Sequence, residues 1–363
     1  MLKQDHLLSK TLQMIFLYLI LDFISFCTFK LERVEAFVVG RFQDTRKTLD
    51  NSFIQRPCRT FLHALAPHQP FTQVISDVDD TIKSSGGVKI GDVALGGIDT
   101  QYDRGEMYPG VFEFILQLSM HSLPKQIVTS EDSAIQSARI QPAKVAILTA
   151  RAEEFKVALE LKDDSKLGRA LLETGLKSAG LQSWGLGPVL YGSVAEWVIQ
   201  DRKGLRKFTN FERLLQQDPS GQLMQYIYMG DTGELDQEAG EAMCREYPEV
   251  VKAVFLHVVS ESPYPPVPPP KLINGRPVVF FRTYVGAAAK ATQLNLMSYS
   301  GLLKVCQAAS EALKDVDQED SKWVELERDL EEASQTMGLT KRVFEIELRK
   351  DDPFFSWQSQ AST

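Results

Sequence analysis

Between residues 71 and 260 the apolar positions fall into short runs separated by longer amphipathic stretches. Four runs, Gln73–Ser76, Lys144–Leu148, Gln225–Met229 and Val251–His257, have the length and composition of strands. Between them, Phe112–Leu118, Glu153–Leu161 and Phe208–Leu215 repeat apolar residues at helical spacing. Strand–helix alternation of this kind predicts an α/β fold, a doubly wound parallel sheet with helices on both faces. In such a sheet the C-terminal strand ends open into a shared crevice.

The flanks differ in pattern. Residues 12–29, LQMIFLYLILDFISFCTF, are largely apolar but carry Asp22, and Lys3 and Lys10 precede them. A membrane span needs ~20 apolar residues, and a carboxylate near its centre costs about 2.5–3.5 kcal/mol. A signal peptide needs a small-residue cleavage site, and none follows promptly. A buried or interfacial helix accommodates Asp22 most easily, so residues 1–70 are expected to form an N-terminal helical extension, with membrane anchoring or targeting as the other two readings. At the other end, Ser262–Lys271 holds six prolines in ten residues, SPYPPVPPPK. Such a run is stiff and extended. It marks residues 261–272 as a linker between a domain at 71–260 and a C-terminal helical region at 273–363. In that region Ala287–Leu313 and Trp323–Met337 read as amphipathic helices, and Glu325–Glu332, ELERDLEE, as a solvated helix face.

Composition narrows the function. The chain of 363 residues carries a net charge of -8, which argues against nucleic-acid binding, since a phosphate backbone needs a basic field. Cys27, Cys58, Cys244 and Cys306 are scattered, without C-x-x-C spacing or nearby histidine clusters. A zinc site and a disulfide framework are therefore not expected, and a reducing compartment is.

The candidate chemistry sits where the predicted strands end. The first run leads into Asp77-Val78-Asp79-Asp80-Thr81. Residues i and i+2 of an extended chain face the same way, so Asp77 and Asp79 can address one site. Two such close carboxylates repel unless a cation sits between them or one is protonated, and Mg²⁺ favours carboxylate oxygens and substrate phosphates. Asp77 then suits a nucleophile attacking phosphorus, Asp79 an acid and base, and Thr81 a turn-fixing residue beside the substrate. Asp80 reads as a turn residue only. The second run ends in Thr149-Ala150-Arg151, where a hydroxyl and a guanidinium suit phosphate oxygens. A basic segment follows with Arg202, Lys203, Arg206 and Lys207, and a lysine from it can neutralise a transferring phosphoryl group. The third run ends in Gly230-Asp231, with Glu234 and Asp236 behind. Asp231 is a further metal carboxylate, and Asp236 either a ligand or a residue orienting one. Each motif alone has an ordinary structural reading: an acidic turn, a helix cap, a solvated basic turn, a glycine-acid turn. Their order, with three of them at strand ends, is what converges on one site.

That order resembles the four-motif signature of the haloacid dehalogenase superfamily. DVDDT resembles its nucleophile motif, ILTAR its threonine motif, and GDTGELD its metal-binding acidic motif. At finer grain, DVDDTIKSSG, ILTAR, RKFTNFERLL and YMGDTGELDQE resemble the catalytic domain of phosphatidate phosphatases of the actin-patch-protein type, and more distantly that of lipins. The resemblance covers roughly residues 71–260. Aligned on the helix at Phe208–Leu215, Lys207 takes the place of the motif lysine and Lys203 is the runner-up. Arg206 stands where that family has histidine, and Gln237 where it has proline. The resemblance implies a Rossmann-like fold of haloacid dehalogenase type and Mg²⁺-dependent hydrolysis of a phosphate monoester. It also implies a phospholipid substrate, phosphatidate giving diacylglycerol, and with it peripheral contact with a membrane through residues 12–29 or the glycine-rich stretch Gly86–Gly110. The expected location is cytoplasmic or peripheral to a membrane. A phosphatase of soluble monoesters or phosphoproteins is the alternative within enzymes. A catalytically silent lipid-sensing module predicts loss of Asp77, Asp79 or Asp231, and all three are present.

Overall fold

Nine strands and eight helices make up the regular structure of the described residues. A computed structural model describes residues 71–87, 89–90, 93–94, 97–121, 123, 141–152, 161–192, 203–217, 223–233, 235–262 and 264–349. The apolar segment at 12–29, almost all of the helix expected at Glu153–Leu161, and Glu234 lie outside them. The chain runs through β1 (Phe71–Ser76), a short hairpin of β2 (Lys89–Ile90) and β3 (Val93–Ala94), α1 (Val111–His121), β4 (Val145–Ala152), α2 (Lys166–Ala179), β5 (Leu186–Gly192), α3 (Lys203–Gln216), β6 (Leu223–Asp231), α4 (Asp236–Glu246) and β7 (Val251–His257). It continues through β8 (Lys271–Ile273), β9 (Arg276–Phe281), α5 (Tyr284–Gln293), α6 (Tyr299–Ala312), α7 (Ser321–Thr336) and α8 (Lys341–Leu348).

Seven strands form one sheet in the order β5-β4-β1-β6-β7-β9-β8, parallel throughout except for β8, which pairs antiparallel with β9. Apart from the exposed edge strand β8, the strands of this sheet are largely buried, as expected where helices cover each side. Their residues alternate between two cores: Val74, Ile147, Ile227, Phe255 and Val279 enter one, and Ile75, Leu148, Tyr228, Val254 and Val278 enter the other. The first core is closed by Phe114 of α1, Leu171 of α2, Val285 of α5 and Leu302 of α6. The second is closed by Phe211 and Leu214 of α3 and Met243 of α4. The architecture is thus α/β with a mostly parallel sheet of Rossmann-like type.

The chain winds outward from β1 through β4 to β5, then crosses back and continues through β6 and β7 on the other side. The C-terminal edge at β4, β1 and β6 is therefore the topological switch point, where α/β sheets open a ligand crevice.

The C-terminal third departs from its sequence pattern. The proline-rich run connects β7 to β8 within the sheet, and β9 then pairs with β7. Val267, inside the run, packs against the second core. The described residues from 71 to 349 accordingly fall in one compact unit, rather than in two bodies joined at 261–272. The single helix expected at Ala287–Leu313 is two, because Asn295 is left-handed (φ 55°) and Ser298 caps a new start by accepting from the Gly301 amide. The acidic run Glu325–Glu332 is only in part a solvated face: Glu327, Arg328 and Glu331 are exposed, but Glu325, Leu326 and Asp329 are buried. They recur at helical spacing, so one stripe of α7 turns inward, and Arg282 and Thr283 meet its carboxylates. No helix of the described residues is long and apolar enough to cross a membrane.

Candidate metal centre and active site

Strand register builds the site. Ser76 pairs with Ile147 on β4 and Met229 on β6, and the Asp77 amide continues the ladder to the Met229 carbonyl at 3.0 Å. Asp77 therefore stands level with Leu148 and Gly230, and Thr149 and Asp231 follow one residue further along the flanking strands. All three are buried. Asp236 opens α4 in the next turn of chain, also buried. Its approach requires glycine at 230, where an added Cβ would lie 2.6 Å from the Asp236 carboxylate. The Asp231 amide donates to Asp236 Oδ2 at 3.3 Å, and the Gly233 amide to Asp231 Oδ1 at 2.6 Å.

Lys207 reaches this group from α3. Positions 207, 211 and 214 share a helical stripe. Phe211 and Leu214 bury that stripe against the sheet and carry Lys207 with them, leaving it 2% exposed. Its ammonium lies 3.3 Å from Asp77 Oδ1 and hydrogen-bonds Asp236 Oδ1. Lys207, the expected motif lysine, thus contacts the acids. The side chains of Lys203 and Arg151 lie outside the described positions.

Asp77, Asp231 and Asp236 each offer an oxygen within 4.8 Å of the others. Three carboxylates against one ammonium leave a formal charge of −2 among these four groups, in a place shielded from water. Buried charge persists only when compensated. Three carboxylate oxygens this close could hold a metal ion, and the all-oxygen donor set suits a hard ion of the Mg²⁺, Mn²⁺ or Ca²⁺ kind. The residues present therefore fit a metal.

Asp79, expected beside Asp77 as a ligand, does not belong to this three-carboxylate group. It is about a quarter exposed (24%) and pairs with Lys83 at 3.2 Å. The chain turns directly after it: Ile82 and Lys83 both donate to the Val78 carbonyl, and the Asp80 amide donates to the Lys83 carbonyl at 2.7 Å. The hydroxyl of Thr81 does not fix this turn, since it finds no hydrogen-bond partner among the described residues. The Thr81 carbonyl instead accepts from the Tyr284 hydroxyl of α5.

Two residues of this edge were not singled out by sequence reasoning. Asp80, read as a turn residue, is fully buried with its carboxylate engaged. His257, the last residue of β7, pairs in register with Asp231. Its Nδ1 lies 2.7 Å from the Asp80 carbonyl and its Nε2 3.0 Å from the Arg282 carbonyl, and Tyr108 meets its ring at 4.4 Å. Burial, reinforced by the Arg282 charge, pushes its pKa down to about 4. The available signal was its place as the polar terminus of an apolar strand beside the Asp231 strand. Compared with protein-family models, characterised proteins and solved structures, the chain matches none.

Proposed function

We propose that this chain is a Mg²⁺-dependent phosphatase on a fold of haloacid dehalogenase type, with phosphatidate as substrate and Asp77 as nucleophile. The observation that carries the reading is Asp77 itself: it sits at the end of β1, between β4 and β6, with the buried Lys207 3.3 Å away and Asp231 and Asp236 beside it. Asp77, Asp231 and Asp236 would hold the ion, which when bound supplies positive charge to the phosphoryl oxygens.

The chain's own groups then divide the work. An Asp77 carboxylate oxygen attacks phosphorus, the ester P–O bond breaks, and Asp79 donates a proton to the leaving oxygen. Lys207 holds Asp77 and offsets charge on the transferring group, while the Thr149 hydroxyl donates to a phosphoryl oxygen. Water next attacks the aspartyl-phosphate, Asp79 takes its proton, and the Asp77 carboxylate is restored as inorganic phosphate leaves. The position of Asp79 outside the carboxylate cluster, partly open to solvent, suits a group that must meet both a leaving alcohol and water. The lipid part of the reading rests on the motif resemblance over residues 71–260.

The test is hydrolysis of phosphatidate in mixed micelles beside a water-soluble monoester, for wild type and Asp77→Asn, with and without chelator. Turnover of phosphatidate is expected, with none in Asp77→Asn and none after chelation. An active Asp77→Asn excludes Asp77 as nucleophile, and full activity after exhaustive chelation excludes the metal.

A further inference from the structure

Asp80 holds the chain together at a point the proposed chemistry does not use. Its carboxylate is fully buried and accepts three backbone N–H groups: Ser85 at 2.7 Å on Oδ1, and Ile98 at 2.7 Å and Asp99 at 3.0 Å on Oδ2. Ser85 and Ile98 are the two feet of the excursion that carries the β2–β3 hairpin, so one carboxylate closes its base. The fit is close. Gly97 has φ 143°, and a Cβ there would overlap the Asp80 carboxylate. Asp80 itself is left-handed (φ 55°), a conformation that aspartate tolerates better than most residues.

Two routes lead from Asp80 to the turn that carries Asp231. Along the first, the carboxylate seats Ile98, whose side chain packs so near Gly233 that a Cβ added there would lie 2.9 Å from Ile98 Cγ1. The Gly233 amide is the donor that orients Asp231 Oδ1. Along the second, the Asp80 carbonyl lies against His257 Nδ1, and the His257 carbonyl accepts the Thr232 amide at 3.0 Å. Both routes end on residues 232 and 233, directly after Asp231.

We infer that Asp80 is a positioning residue for the metal centre: it fixes the Asp231–Gly233 turn, and with it the orientation of the Asp231 carboxylate. The inference rests on the metal reading of the site. An acid is needed because only two acceptor oxygens can receive three N–H groups at both feet. Asparagine keeps the size but turns an NH₂ toward at least one of those donors. Groups that orient metal ligands typically contribute 10–100-fold to metal affinity.

The experiment is calorimetric titration of the full chain with Mg²⁺, with no substrate present, followed by turnover at saturating Mg²⁺. Asp80→Asn is expected to weaken Mg²⁺ binding about 10-fold or more. Its kcat at saturating Mg²⁺ is expected to return to within about threefold of wild type, since no reacting atom has been removed. Gly97→Ala leaves the carboxylate in place but displaces the foot it grips, and is expected to weaken binding likewise; it decides the matter if Asp80→Asn does not fold. Asp329→Asn, which alters a similarly buried carboxylate on α7, is expected to lower stability and leave Mg²⁺ affinity unchanged. Wild-type affinity in both Asp80→Asn and Gly97→Ala overturns the inference while the metal reading stands. So does unchanged affinity with kcat lost. A wild-type chain that binds no Mg²⁺ overturns the metal reading, and this inference with it.

Discussion

Glu325→Leu should destabilise the whole sheet unit, not the C-terminal helices alone. The Arg282 guanidinium donates from Nε at 3.0 Å and from Nη2 at 3.0 Å to the Glu325 carboxylate, and both side chains are 2% exposed. The remaining Arg282 contacts go to the Val258 carbonyl and Gln101 Oε1. At 3 Å and an effective dielectric constant of 20, the attraction of unit charges is about 5 kcal/mol. Removing one partner of a buried pair costs about 3–5 kcal/mol, because the other charge is left uncompensated. Arg282→Met should cost a similar amount. The double variant should lose less than the sum by at least about 2 kcal/mol, since no charge is then stranded. What it does lose reflects the Val258 carbonyl and Gln101, about 1–3 kcal/mol for each buried group left without a donor. Urea unfolding followed by tryptophan fluorescence and far-ultraviolet circular dichroism measures all four corners of the cycle. One transition, shared by both probes, is expected to shift. Single variants within about 0.5 kcal/mol of wild type would refute the reasoning, as would a separate transition that alone responds, because either means that α7 is not part of the core.

Three further outcomes follow from the site. Lys207→Met removes the buried ammonium that contacts Asp77 and Asp236, and should lower kcat/KM by at least about 100-fold, or about 2.7 kcal/mol, in steady-state assays with phosphatidate. Gly230→Ala drives a methyl group into Asp236, so Mg²⁺ affinity measured by calorimetry should fall by about 10-fold or more. His257 makes folding pH-dependent: its pKa lies at about 4 when folded and near 6.5 otherwise, chiefly through burial. The unfolded chain therefore binds more protons between these values, so the contribution is complete above pH 6.5 and is lost as pH falls toward 4, by about 3 kcal/mol in total. Urea midpoints at pH 7 and pH 4.5 should converge in His257→Gln relative to wild type. An equal pH dependence in the two proteins would remove His257 as its source.

The parts of this protein written in local pattern were those set by short-range geometry. Apolar runs between amphipathic stretches located β1, β4, β6 and β7, because a strand buried on both faces needs apolar residues along its whole length. Asp77, Thr149 and Asp231 stood out because polar residues ended those runs, and parallel pairing then sets such ends side by side. Lys207 was legible through its place just before the amphipathic helix that contains Phe211, whose buried stripe carries it to the sheet. Tertiary structure decided what distant partners decide. The 325–332 run has the charge of a solvated face, and distant partners, Arg282 43 residues earlier and Gln101 224 earlier, hold Glu325 inward. The proline run has the composition of a linker, and only pairing of β9 with β7 keeps the chain beyond it in the same sheet. The difference between Asp79 and Asp80 was likewise invisible in DVDDT. Backbone hydrogen bonds curl the chain after Val78, leaving Asp79 with Lys83 and sending Asp80 inward to amides 18 and 19 residues away. A carboxylate's role follows from the charges and donors that surround it, and those are brought together by the fold.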